Sequence, residues 1–359
     1  MNFDNWKYGD CCIDTLKTPA IFEIAKNINE LKNTDLKHVT FNLSPNASLE
    51  PLGMLLVGSV LRQFCSTFKG EVSVLSDTAH TYAGTMGFYQ YAFPNCPVGK
   101  APGESRGSDR YIPITRLSID SIRESYRQEG HCLGDGPLIE REAGRLAQVF
   151  AGGYTNLTYL LAYLLREIMR NTLEHAEASE IWLCAQSWEK SGWAEIALLD
   201  EGIGIFRSLT KNIHHREYIH NEVDSLHWAT KAGISQSFSP DKKNKSTDEW
   251  ANSGFGLFMA SQICKKLGGT FHLVSKNHYL SIGPSFECID YRTGTTYSIG
   301  TSVRMRIPKR ALTIGAQKII NEIRKEGEKQ AKKTRSAFKK ASHPSRGLME
   351  ELDIPHEIS

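Results

Sequence analysis

Apolar and polar positions along this chain follow two periods, near 3.6 and near 2, and their order predicts alternating helices and strands. Residues 1–36 read as mostly helical, around apolar positions at helical spacing over 21–31 that follow a polar lead-in. Residues 38–43, HVTFNL, alternate and are rich in β-branched and aromatic types, which predicts a strand. Ser44-Pro45-Asn46-Ala47-Ser48 predicts a turn and a helix start, and residues 49–68 are apolar with helical period up to Gly70. A short strand at 71–75, a short helix at 82–91, a loop at 94–109 rich in Pro, Gly and Ser, and a strand at 111–117 follow. This β-α-β-α-β run predicts a small α/β domain over residues 1–117.

Residues 119–129 and 137–150 are charged and amphipathic, which predicts a helical connector over 118–154. After Gly152-Gly153, Thr155 or Asn156 can cap a helix that runs to residue 176. The segments 180–187 (EIWLCAQS) and 193–199 (WAEIALL) predict a β-hairpin, with Asp200 at the end of its second strand. Residues 206–252 are long and polar, with a helix predicted at 220–232 and a mobile stretch at 237–248. A helix at 256–267 stops at Gly268-Gly269. Strands at 270–275 and 301–307 enclose turn residues and a hairpin over 277–300. This second α/β domain spans 155–308, and a basic tail spans 309–359.

Composition narrows the picture little. The chain is 40% hydrophobic and 23% charged, with a net charge of +3, too small to argue for nucleic acid. Within residues 318–346 we count ten Lys or Arg against three Glu, so nucleic acid is a candidate partner of this stretch alone. Phe338 is the only aromatic residue there, which argues against base stacking. The eight cysteines form no C-x-x-C pair, and the N-terminal residues have no signal-peptide pattern. No apolar run spans a bilayer, so no membrane partner and a reducing cytoplasm are expected.

Chemistry gathers in the second domain. Glu167, Asn171 and His175 are spaced i, i+4, i+8 and project from one side of a helix. Asn171 offers an amide oxygen suited to a hard cation, and Glu167 can take a proton from water or a hydroxyl. Asp200 at a strand end can accept from an adenine amino group, where guanine would present a carbonyl. Gly202 and Gly204 let the backbone turn tightly beside it, ahead of Ile205. Gly254 and Gly256 precede a helix whose N-terminal amides can face phosphate.

In this order, Glu167-x-x-x-Asn171-x-x-x-His175, Asp200-Glu-Gly-Ile-Gly204, Ser253-Gly-Phe-Gly-Leu257 and Gly300-Thr-Ser resemble the motif set of the GHKL superfamily over about residues 155–308. That superfamily holds gyrase-type ATPases, heat-shock chaperones, mismatch-repair ATPases, sensor histidine kinases and anti-sigma serine kinases. The resemblance implies a Bergerat-type α/β sandwich, a mixed sheet backed by helices. It implies ATP with Mg²⁺ between Asn171, Asp200 and the long 206–252 lid, and it places Thr301 near the adenine. The site set is then Glu167 as base, Asn171 on the metal, and Asp200, Gly202, Gly204, Ile205, Ser253, Gly254, Phe255, Gly256, Leu257 and Thr301 around the nucleotide. The N-terminal domain is similar to the STAS-like regulatory domains found beside kinase-type ATPases. No phosphoacceptor helix of the H-E-x-x-R-P or H-D-x-x-x-P kind occurs, which argues against a self-sufficient sensor histidine kinase. Three functions remain open: an ATPase that switches a conformation or partner, an anti-sigma-type serine kinase, and a sensor that binds ATP without turnover. A protein partner or a homodimer is expected with each.

Overall fold

The computed structural model describes residues 3–75, 80–128, 135–151, 155–175, 178, 180–239, 254–284, 289–309, 315–335, 337–338 and 340–341. The chain opens with a 3-10 turn at Asp4–Tyr8, then β1 (Asp10–Leu16), α1 (Ala20–Leu31), β2 (His38–Leu49), α2 (Pro51–Thr67) and β3 (Glu71–Val74). These strands form a parallel sheet in the order β1-β2-β3. β1 corrects the mostly helical reading of residues 1–36: it alternates buried and exposed positions, a signal present in DCCIDTL that the polar lead-in obscured. β2 runs through the segment expected as a turn and helix start. Its Pro45 lies where the β1 register jumps, between the pairs Ile13↔Leu43 and Thr15↔Ser48. The turn signal was real, but it produces a bulge within the strand, where a residue lacking N–H is tolerated.

The predicted helix at 82–91 is two short ones, α3 (Thr81–Thr85) and α4 (Phe88–Ala92), divided by Gly87 in the left-handed region. β4 (Tyr111–Ser118) then corrects the expected strand assignment. It does not join the N-terminal sheet but pairs antiparallel with β5 of the large sheet.

The second half contains α5 (Ile119–Gln128), α6 (Asp135–Ala151), α7 (Thr155–His175), β5 (Glu180–Trp188), β6 (Trp193–Asp200), α8 (Ile205–Thr210), α9 (Glu222–Ala229) and α10 (Gly256–Lys266). It continues with β7 (Thr270–Ser275), β8 (His278–Pro284), β9 (Ile289–Thr295), β10 (Thr301–Pro308) and α11 (Ala316–Ala331). The seven-stranded sheet has the order β4-β5-β6-β10-β7-β8-β9, and its neighbouring strands are antiparallel. The fold is thus an α/β sandwich of the Bergerat type, joined to a parallel α/β unit. Among the described residues, no helix is long and apolar enough to cross a membrane.

Both faces of the large sheet are covered, and strand parity sorts the residues. Ile181, Leu183, Ile196, Leu198, Val303 and Met305 join the core shared with α6, α7 and α10. Trp182, Cys184, Ala197, Leu199 and Val274 join a second core with β1, α1, β2, α2 and α4. Burial on both faces explains why EIWLCAQS and WAEIALL read as nearly continuous apolar runs.

The two units also meet through buried charge. Arg304 on β10 reaches Glu195 at 2.8 Å and Glu50 at 3.3 Å, while Arg306 reaches Glu50 at 2.8 Å. Phe22 of α1 stacks on Tyr279 of β8 at 3.8 Å between ring centroids. Part of the basic C-terminal stretch packs onto the fold: Ile319, Ile320 and Ile323 of α11 are buried in the core containing α7 and α10. The residues after 341, and the stretch 240–253, lie outside the described residues.

Candidate nucleotide site

Strand parity points Asp200 towards the helices. Positions 196 and 198 of β6 face the helical core, and Asp200 continues that side. β10 pairs its first residue, Thr301, with Asp200. Asp200 is buried, and its Oδ1 accepts from the backbone N–H of Gly202 at 2.9 Å and of Thr301 at 3.3 Å. Burial pushes its carboxyl up to about 6, against the downward pull of those two amides and of Lys276.

Gly300 makes this packing possible. A Cβ there would stand 2.3 Å from the Asp200 carbonyl oxygen and 2.8 Å from its Oδ1. Gly300→Ala should therefore force the β6 and β10 ends apart. We expect a stability loss of about 1–3 kcal/mol in denaturant unfolding, together with weaker ATP binding by calorimetry. Unchanged values for both would show that the loop can shift freely.

The Asp-x-Gly-x-Gly loop is held from the opposite side by residues that spacing did not reveal. The Lys276 ammonium donates to the Gly202 carbonyl at 2.9 Å and also to the Ile299 carbonyl. The Ser275 hydroxyl accepts from Ile205 N–H at 2.9 Å. Lys276 itself adopts a positive φ of 52° in the β7–β8 turn. Gly204, with φ of +80°, starts α8 beside it, where a Cβ would lie 3.0 Å from the Lys276 side chain.

On the helical wall, α10 begins directly against α7. A Cβ on Gly256 would lie 3.0 Å from Asn171 Nδ2 and 3.2 Å from Glu167 Oε2. The N-cap residue Phe255 makes no side-chain cap hydrogen bond to the first turn of α10. Gly254 has φ of +70° and would meet the Ile234 carbonyl if it carried a Cβ.

One cavity gathers Asn171, Asp200, Gly204, Ile205, Gly254, Gly256, Leu257 and Thr301. Its apolar walls include Ile168, Leu198, Leu209 and Val303, and Ser208 and Gln236 add polar groups. Such a mix, mostly apolar with few convergent polar groups, suits a planar heterocycle. Other expected residues stand elsewhere. Gly202 lies behind Asp200 as a hydrogen-bond donor. Phe255 is buried beside Phe258, with 6.2 Å between ring centroids. Ser253 and the side chain of His175 lie outside the described residues.

Glu167 is also absent from the cavity wall. It is buried, with Oε1 accepting from Arg166 at 3.1 Å and lying 3.8 Å from Arg170. Arg166 in turn bonds Glu140 at 2.9 Å on α6.

The family model described as "Histidine kinase-, DNA gyrase B-, and HSP90-like ATPase" matches residues 158–311 of this chain. No curated protein matches the chain.

Proposed function

We propose, from the membership of residues 158–311 in the GHKL ATPase family, that this ATP-binding domain takes Mg-ATP in the α7–β6–α10 cavity and hydrolyses it to switch the state of the whole chain. The observation that carries the reading is the setting of Asp200. Its Oδ1 is engaged by two backbone amides at the mouth of an apolar cavity, and its second oxygen is available to an adenine amino group. Guanine would offer a carbonyl at that point, so the pocket favours adenine.

The phosphates would meet the first amides of α10 at Gly256, where the helix dipole favours negative charge. Asn171, beside Gly256 on the cavity wall, fits a Mg²⁺ that keeps most of its ligands from phosphate and water. When bound, that ion would offset the negative charge of the phosphates. Glu167, one turn before Asn171, is the candidate base. The parallel β1-β2-β3 sheet with α1 and α2 supports reading the N-terminal half as a regulatory unit of the STAS-like kind.

A second reading, an ATP sensor without turnover, is favoured by the pairing of Glu167 with Arg166 and Arg170. Incubation with γ-labelled ATP separates the possibilities. Free phosphate supports hydrolysis, labelled protein supports a serine kinase, and bound ATP with neither product supports the sensor.

The raised Asp200 pKa gives a pH test. The folded value of about 6 stands above the ordinary 3.8, so this group's contribution to stability is present below about pH 3.8 and is lost as pH rises through 6. Nucleotide recognition needs the carboxylate and runs the other way. Affinity for adenosine, which has no titrating phosphate, should fall up to about tenfold per unit as pH drops below about 6. A flat profile in calorimetry between about pH 8 and about pH 5 would remove Asp200 from base recognition.

A further inference from the structure

Asp200 and Glu201 are consecutive residues that face opposite sides of the large sheet. Positions 195, 197 and 199 of β6 point at the N-terminal unit, and Glu201 continues that side. Its Oε1 accepts from Arg62 at 2.6 Å and from the Ser59 hydroxyl at 2.6 Å, both on α2. Arg62 itself rests on a pair of touching aromatic rings, 4.6 Å from the Tyr91 centroid and 4.7 Å from that of Trp182, whose centroids lie 4.7 Å from each other. Cation–π contacts to two rings hold the guanidinium in place and oppose its following a moving carboxylate. The next residue, Gln63, accepts from the Tyr297 hydroxyl at 2.8 Å, just before the Ile299-Gly300 loop. α2 therefore holds both chain segments that form the adenine end of the cavity.

We infer that Arg62 and Ser59 of the N-terminal unit are positioning residues for the adenine loop, acting through Glu201, so that nucleotide binding and the seating of α2 are thermodynamically linked. This rests on the nucleotide reading given above. Linkage follows because Glu201 cannot shift without moving the neighbouring Asp200 backbone, whose Oδ1 is tied to Gly202 and Thr301. Coupling is reciprocal: whatever tightens the Arg62 contact tightens nucleotide, and nucleotide tightens the contact. The contact does not hold the two units together. The Glu50–Arg304–Glu195 cluster and the shared apolar core do that, so removing Glu201 leaves the docking intact.

The test is a double-mutant cycle on the full chain with Glu201→Gln and Arg62→Met, and with Ser59→Ala as a milder companion. ATP affinity is read by calorimetry, and amide exchange is followed over residues 59–67 with and without Mg-ATP. We expect each of Glu201→Gln and Arg62→Met to weaken ATP by about 3- to 30-fold, and the double variant to be no worse than the weaker single one. ATP should slow exchange at 59–67 in the wild type, and Glu201→Gln should abolish that slowing. Additive losses, unchanged affinity in both Glu201→Gln and Ser59→Ala, or wild-type exchange indifferent to ATP would each overturn the inference. If Arg62→Met does not fold, Glu201→Gln and Ser59→Ala decide alone. Failure of the wild type to bind ATP would instead strike the nucleotide reading, and this inference with it.

Discussion

Asp200→Asn should weaken ATP binding by about 10- to 100-fold, from the loss of a charge-assisted hydrogen bond worth roughly 1.5–3 kcal/mol. The local geometry makes the substitution harsher than its shape suggests. The acceptor at the Oδ1 position must stay an oxygen, because it receives N–H groups from Gly202 and Thr301. The new amide nitrogen is then driven to the cavity side, where it opposes the adenine amino group donor to donor. Folding should not suffer. Burial disfavours the ionised Asp200, so a neutral isostere removes a cost at neutral pH, and the thermal midpoint should hold or rise. Calorimetry and thermal unfolding on the same sample check both halves. An unchanged dissociation constant would sink the adenine assignment, and a large drop in midpoint would make Asp200 a structural residue.

The parts of this site that were legible in the chain are those set by local spacing. Glu167 and Asn171 share a helix, so their proximity follows from helical period alone. Asp200 closes an apolar strand, and Gly204, Gly254 and Gly256 mark backbone turns beside the cavity. What stayed hidden depends on contacts distant in sequence. Lys276 clamps Gly202 across 74 positions, and nothing in Ser-Lys-Asn-His at a β-turn announces that role. The partner of β4 was equally hidden, because an alternating strand shows which face is buried but not which sheet it joins. The buried face of α11 was masked by its Lys and Arg content, although its isoleucines sit at helical spacing.

The spacing of Glu167 was legible, but its surroundings were not, and they shape the sharpest test of turnover. If Glu167 polarises the attacking water, Glu167→Gln should bind Mg-ATP with wild-type affinity and lose about 10²- to 10⁴-fold in turnover. Asn171→Ala should do the reverse in its first step, losing Mg²⁺-dependent nucleotide affinity before any chemistry is reached. Glu167 also lies against the fully buried Arg166, so the Gln variant removes one charged partner from a guanidinium that keeps Glu140. A destabilised fold could then mimic a catalytic loss. Glu167→Asp separates the two effects: it keeps a negative charge near Arg166 but draws the carboxylate back from Gly256, where Oε2 now lies 3.2 Å from the position of a Cβ. For a base, the Asp variant should be stable and nearly as slow as the Gln variant. For a purely structural Glu167, the Asp variant should recover turnover along with the thermal midpoint. Full turnover in Glu167→Gln would exclude it as the base. A wild type that binds ATP but releases no phosphate with any partner would leave the carboxylate as an anchor for Arg166 and Arg170, and would make nucleotide occupancy the signal.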